Sequence, residues 1–296
     1  MSEHEYKMYE ELLDLLEKRY KDKEIDEANY KELKERYEEK LAKAKKLAEK
    51  IKAAPKIKVS GTQTISDTEL SVAGSARING GEVDKDIRIA GSGKFLNDVV
   101  CRNLKAAGSV KGEGNITAHG DVKTSGSFKC GGYLHADGDV KFSGSAKVEN
   151  EAMIGGRLSA SGSFACGDYL QAKNGVRVSG SASVNGNLLS QSTVELTGRA
   201  QIEGNLVGED VYVNKDVIAY RLKKTRPSIV KGSVFGTREV VLRNTVVEQD
   251  VKGLDVEIGP HSKVRGTVYY VNNISVDKKA QLSVEPVQIS IDQLKL

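Results

Sequence analysis

A glycine recurs through the middle of this chain at an almost fixed interval. Gly74, Gly91, Gly108, Gly126, Gly144, Gly162, Gly180 and Gly198 follow one another at steps of 17, 17, 18, 18, 18, 18 and 18. A serine follows each of them except the last, where Arg199 stands. A layered globular domain has no physical reason to repeat in this way. A solenoid does, because every coil must bring the same residue type to the same corner.

Between the glycines the apolar residues fall in pairs. Leu134/Ala136, Val140/Phe142, Ala146/Val148, Ala152/Ile154, Leu158/Ala160, Phe164/Cys166, Leu170/Ala172, Val176/Val178 and Ala182/Val184 have a spacing of two within a pair. The pair starts are six apart. A spacing of two puts both members on one side of a strand. The residues between pairs are rich in Gly, Ser, Asn and Asp, which suit corners. Three such units match the glycine interval and make one coil, so the pattern predicts a mainly β chain wound as a three-sided parallel β-helix. Looser pairs continue it upstream (Leu70/Val72, Ala76/Ile78, Ile87/Ile89). They continue it downstream as well (Val194/Leu196, Ala200/Ile202, Val211/Val213, Val240/Leu242, Leu254/Val256, Ile274/Val276, Leu282/Val284). Taking Ile57 to Ser290 as solenoid predicts 13 coils, a rod roughly 60 Å long at about 4.8 Å per coil. Lys215 to Ser228 breaks the register and reads as a protruding loop.

None of the 30 glycines lies before Gly61. Composition therefore changes near Pro55, which divides the chain into 1–55 and 56–296. The first part reads as a helical hairpin. Tyr6, Tyr9, Leu12, Leu13, Leu16 and Tyr20 mark helix one. After Lys21–Glu24, Asp26 is a good N-cap for helix two. Tyr30, Leu33, Tyr37, Leu41, Ala44, Leu47 and Ile51 then form a single apolar stripe. Two short helices with one stripe each bury little area, so the hairpin is expected to dock or to self-associate.

The candidate chemistry is thin. Cys130 and Cys166 share an interior column two coils apart, about 9–10 Å. That is beyond the reach of a disulfide, so they read as small buried thiols. Serine rows beside the glycines (Ser125, Ser143, Ser161, Ser179 on one side; Ser109, Ser127, Ser145, Ser163, Ser181 on the other) predict a hydroxyl ladder from coil to coil. His119 and His135 are 16 apart and do not stack. No phosphate loop or metal-ligand spacing stands out, so no catalytic residue, metal or cofactor is expected. The net charge of +4 and the 5% aromatic content give no reason to expect nucleic acid. A polar start and the lack of a long apolar run point to a cytoplasmic protein. Arg221, Lys223, Lys224 and Arg226 in the register-breaking loop are the candidate contact for an acidic partner or a phospholipid surface.

The ends of such a rod carry unpaired backbone groups. Val287, Ile289 and Ile291 alternate with polar residues and predict an unguarded terminal strand. Ile57, Val59 and Ile65 are strand-like at the other end. With Tyr30, Leu33, Tyr37 and Leu41 of the hairpin, the three C-terminal residues are the expected self-association residues.

The Gly/Ser-punctuated coils, together with Val251-Lys252-Gly253-Leu254-Asp255-Val256-Glu257-Ile258-Gly259 and Val264-Arg265-Gly266-Thr267-Val268, resemble the bactofilins, a family of polymer-forming cytoskeletal proteins. The stretch from Glu24 to Tyr30, ahead of Leu33 and Tyr37, resembles a SHOCT-type helical hairpin. The first resemblance implies a right-handed β-helix that assembles without nucleotide. It also implies a non-enzymatic scaffold whose partners are copies of itself, other proteins or the membrane surface. The second implies a role in oligomerisation, and such a hairpin could equally cap one end. The pattern leaves two alternatives open. One is a hexapeptide-repeat acyltransferase, which uses coils of the same length but generally winds left-handed. The other is an adhesive or polysaccharide-binding β-helix.

Overall fold

The computed structural model describes Tyr9, Leu13, Leu16, Glu17, Lys21 and residues 27–51, 57–217 and 226–294. The chain forms a β-solenoid of about 12 turns, preceded among the described residues by one continuous N-terminal helix, Glu27–Ile51. Each turn has three faces. A first-face strand runs to the marker glycine, the chain bends there into a second-face strand, and a third-face strand follows. Thus β2 (Glu69–Ile78) covers the first two faces, β3 (Gly81–Val83) the third, β4 (Asp86–Phe95) the first two again, and β5 (Val99–Cys101) the third. Every face is a parallel ladder. Its rungs follow the shorter glycine interval early on (Leu70, Ile87, Leu104) and the longer one afterwards (Phe128, Ala146, Phe164).

The paired residues point inward as their spacing requires. From Leu134 to Ile202 every predicted pair is buried. Phe142 of the first face sits with its ring centroid 4.8 Å from Phe128 and 6.1 Å from Phe164, both of the second. The interior column of Ile78, Phe95, Gly112, Cys130, Val148, Cys166, Val184 and Ile202 is continuous.

The glycine interval has a steric cause. A Cβ on Gly126, Gly144 or Gly162 would lie 2.3, 2.5 or 2.4 Å from the carbonyl oxygen of the marker glycine one coil earlier. The coils touch backbone to backbone at this corner, and any side chain would push them apart.

Coil-to-coil side-chain bonding comes from residues other than those expected. The hydroxyls of the glycine-corner serines make no hydrogen bond to the next coil among the described residues. Asn and Asp at the other two corners do so instead. Asp98 Oδ1 accepts the Asn115 N–H at 2.7 Å, Asn115 Oδ1 that of Tyr133 at 3.0 Å, and Asn187 Oδ1 that of Asn205 at 2.7 Å. At the remaining corner Asn103, Asp121 and Asp139 accept from Asp121, Asp139 and Arg157 in turn. A planar amide or carboxylate reaches the neighbouring backbone N–H with its oxygen, and this satisfies a donor that the corner takes out of the sheet ladder.

Three further expectations change. First, β1 (Ile57–Ile65) is not a coil. It pairs antiparallel with β2, from Ile57↔Ile78 to Ile65↔Leu70, as the arm of a hairpin. This shortens the expected 13 coils. Second, Leu254 is not an inward residue. The register shifts between Gly253 and Asp255, and Val256 and Ile258 fill the interior instead. Third, the predicted terminal strand ends at Gln288, and Ile291–Gln293 form a 3-10 turn closed by a capping box between Ser290 and Gln293. The register break itself falls where expected. Ser183 pairs with Gln201 at the ordinary interval, whereas Gln201 pairs with Ile229 across a much longer stretch of chain. Lys215 anchors the start of the excursion, 3.0 Å from Glu239 and 3.7 Å from the centre of the Tyr212 ring.

Candidate functional site

The two ends of the rod are built differently, and the difference follows from β1. At the N-terminal end the first core residues Leu70, Val72, Ala76 and Ile78 are all 3% exposed or less. They are covered because β1 lies across them, with Ile57 and Val59 packed on the core. At the C-terminal end the interior columns run out uncovered. Ile258, fully buried, is followed in its column by Val276 at 42% exposure. Leu282 stacks on Val264 and is half-buried. Val276, Val284, Val287 and Ile291 make four of the five exposed large hydrophobics among the described residues, and the fifth is Ile65 at the tip of the β1–β2 hairpin.

The predicted self-association residues at this end are therefore placed on an open surface. Val287 and Ile291 are exposed and Ile289 is half-buried. Val276 and Val284 join them. Alternation alone assigns both to the core, because it gives the side of the strand but not whether another coil follows. Among the described residues only the pairings Tyr269↔Val287 and Tyr270↔Gln288 cover the last long strand, Val268–Val276. Its backbone beyond Tyr270 presents a largely free edge.

The N-terminal helical segment lies along the third face. In α1 (Glu27–Ile51) Tyr30, Leu33, Tyr37 and Leu41 are half-buried while Glu35, Arg36, Glu38, Glu39 and Lys43 are exposed, the one-sided stripe expected. Lys40 of α1 reaches Glu151 at 3.7 Å and the Tyr169 ring at 5.5 Å. Val100 and Thr117 point outward from the third face, yet both are 3% exposed or less. Tyr9 and Leu16 are helical and buried. Burial pushes the Tyr169 hydroxyl well above the ordinary phenol range, and the nearby Glu151 carboxylate, Tyr9 and Asp168 add to it. The segment thus docks on its own solenoid and leaves the capping of the N-terminal end to β1. Leu13 is helical and half-buried, and Tyr6, Leu12 and Tyr20 lie outside the described residues.

The remaining candidates are structural in their surroundings. Cys101, Cys130 and Cys166 are buried free thiols. Burial pushes the first two up to about 12 and the third to about 11. The Sγ of Cys130 and that of Cys166 each lie 3.1 Å from a backbone carbonyl, of Tyr133 and Asn150. His119 lies 3.3 Å from Asp137 at the surface, and His135 stacks between Thr117 and Met153 in another column. Of the basic loop cluster, Arg226 is exposed, and Arg221, Lys223 and Lys224 lie outside the described residues. Among the described residues no three His, Cys, Asp or Glu side chains converge, and no helix is long and apolar enough to cross a membrane. In comparison with known proteins, no family model, curated protein or solved structure matches this chain.

Proposed function

We propose that this protein is a non-enzymatic structural scaffold of the bactofilin kind, which self-assembles without nucleotide through the ends of its solenoid. The observation that carries the reading is the uncovered C-terminal coil, where the interior column ends at the exposed Val276, and Val284, Val287 and Ile291 also stand exposed near a free strand edge. Burying that apolar surface against a second copy is favourable by about 25 cal/mol per Å². Contact between two C-terminal ends is isologous and closes at a dimer. Growth into a filament then needs the outer edge of β1 as the second contact. The α1 stripe, Tyr30, Leu33, Tyr37 and Leu41, serves docking on the solenoid first and assembly second.

Sedimentation velocity and negative-stain microscopy of the full chain, without nucleotide, test this. Val287→Lys, Ile289→Lys and Ile291→Lys are expected to weaken self-association while far-UV circular dichroism stays unchanged. Assembly of these variants equal to that of the parent would refute the C-terminal contact.

A further inference from the structure

Charge on this rod is segregated by column. On the second face Lys58, Arg77, Lys94, Lys111, Lys129 and Lys147 occupy successive rungs of one outward column. On the first face Arg88, Lys105, Lys123 and Lys141 do the same. Both rows stop at the same coil, for the next rungs are Ser159 and Ala165. At about 4.8 Å per rung each row is a straight line of positive charge.

The two rows flank the glycine corner. Across that corner the chain reads Ala73-Gly74-Ser75, Ala90-Gly91-Ser92, Ala107-Gly108-Ser109, Ser125-Gly126-Ser127 and Ser143-Gly144-Ser145. It carries no charge and no bulk. The carboxylates of these coils sit towards the other two corners, among them Asp98, Asp121, Asp139 and Glu151. Four of the coils' acids pair with the rows. Glu69 holds Arg88, Glu113 holds Lys94, Asp121 holds Lys123, and Glu149 lies between Lys129 and Lys147. Lys58, Arg77, Lys105, Lys111 and Lys141 have no ion pair among the described residues. The helical segment occupies the third face, which in a three-sided prism lies opposite this corner. Among the described residues nothing outside the coils covers the cationic edge, and all its cations but the half-buried Lys94 are exposed.

We infer that this edge is a docking surface for an anionic lipid bilayer, with the rod lying along the membrane. The rows are two straight lines of cations, one on each side of the uncharged corner, and an extended array of phosphates meets both at once. The rows also contain no aromatic residue on which a base could stack. Each lysine or arginine brought to an acidic leaflet strengthens binding by about 1 kcal/mol, about fivefold. The effect decays within a Debye length and weakens as salt rises. The inference goes beyond end-to-end assembly and does not depend on it.

The test is co-sedimentation of the full-length protein with phosphatidylglycerol/phosphatidylcholine vesicles and with phosphatidylcholine vesicles alone. A triple variant, Lys105→Gln, Lys111→Gln and Lys141→Gln, removes three cations that hold no ion pair. A control, Lys173→Gln, Lys263→Gln and Lys278→Gln, removes the same charge elsewhere. The wild type is expected to bind only the acidic vesicles and to release them as salt rises. The edge variant should bind about a hundredfold more weakly, from three steps of about fivefold. The control should stay within about fivefold of wild type. Equal losses in both variants would overturn the inference, because net charge and not the edge would then govern binding. So would wild-type affinity in the edge variant, or edge-dependent binding to an oligonucleotide or polyphosphate with none to vesicles. Circular dichroism of both variants checks that each is folded.

Discussion

Replacing Gly144 by alanine tests the origin of the repeat directly. The added Cβ would stand 2.5 Å from the Gly126 carbonyl oxygen, and ordinary contact begins near 3.4 Å. The two coils must therefore separate locally by about 0.9 Å. Cross-coil hydrogen bonds flank the contact, Ser143 N–H to Thr124 at 2.9 Å and Phe128 N–H to Ser145 at 2.8 Å. Opening by that amount carries both past useful length. Each lost backbone bond costs about 1–3 kcal/mol once its groups are stranded. Against this, alanine gains about 0.4–1 kcal/mol by restricting the unfolded chain. The expected net loss is about 1–5 kcal/mol. Gly144 does not adopt a positive φ, so the effect isolates close approach from backbone conformation. Urea unfolding followed by far-UV circular dichroism reads it, with Ser145→Ala as a neighbouring exposed control expected within about 0.5 kcal/mol of wild type. If Gly144→Ala matched wild type or was more stable, the glycine column would have no steric role and the account of the interval would be wrong.

Two other outcomes follow from the interior and the corners. The raised thiols of Cys101, Cys130 and Cys166 make stability fall as pH rises above about 8.5, where the unfolded thiols ionise. The unfolded state binds fewer protons there, so the loss approaches about 1.4 kcal/mol per pH unit for each cysteine until the folded thiols ionise. Between about pH 8.5 and 10.5 the urea midpoint of wild type should drop more steeply than that of the Cys101→Ala, Cys130→Ala, Cys166→Ala variant; parallel slopes would contradict the burial argument. Asn187→Ala strands the Asn205 N–H and should lower stability by about 1–2 kcal/mol, whereas Asn187→Asp keeps the acceptor and should lose less. Equal losses from the two would mean that the side-chain oxygen does not support the corner.

Much of the solenoid is readable without a structure, and the readable parts share one cause. An interior such as Leu134/Ala136 or Phe164/Cys166 is fixed by alternation, which is local. The register loop at Lys215–Ser228 is equally visible, because an inserted stretch interrupts a count. The cationic rows are open to the same count, since Lys105, Lys123 and Lys141, like Lys111, Lys129 and Lys147, recur once per coil at the glycine interval. The basic loop stands out more readily because its charges are adjacent in sequence. What escapes such reading depends on the partner strand. Ile57–Ile65 alternates like any coil, and nothing local says that it pairs antiparallel. The serine rows resemble a ladder, yet Asn and Asp at other corners are the residues whose oxygens reach the next N–H.

Taken alone, the amino-acid order dictates that this chain coils, where each coil turns and which side chains it buries, because those features repeat within a few residues. Packing in three dimensions governs what happens where the repeat stops. It lays a reversed strand over one end, leaves Val276 and Leu282 without a further strand stacked on them among the described residues at the other, and places the helical segment on the third face. End and face contacts join residues far apart along the chain, so no periodicity encodes them. They are settled by which surfaces remain to be covered once the coils have stacked.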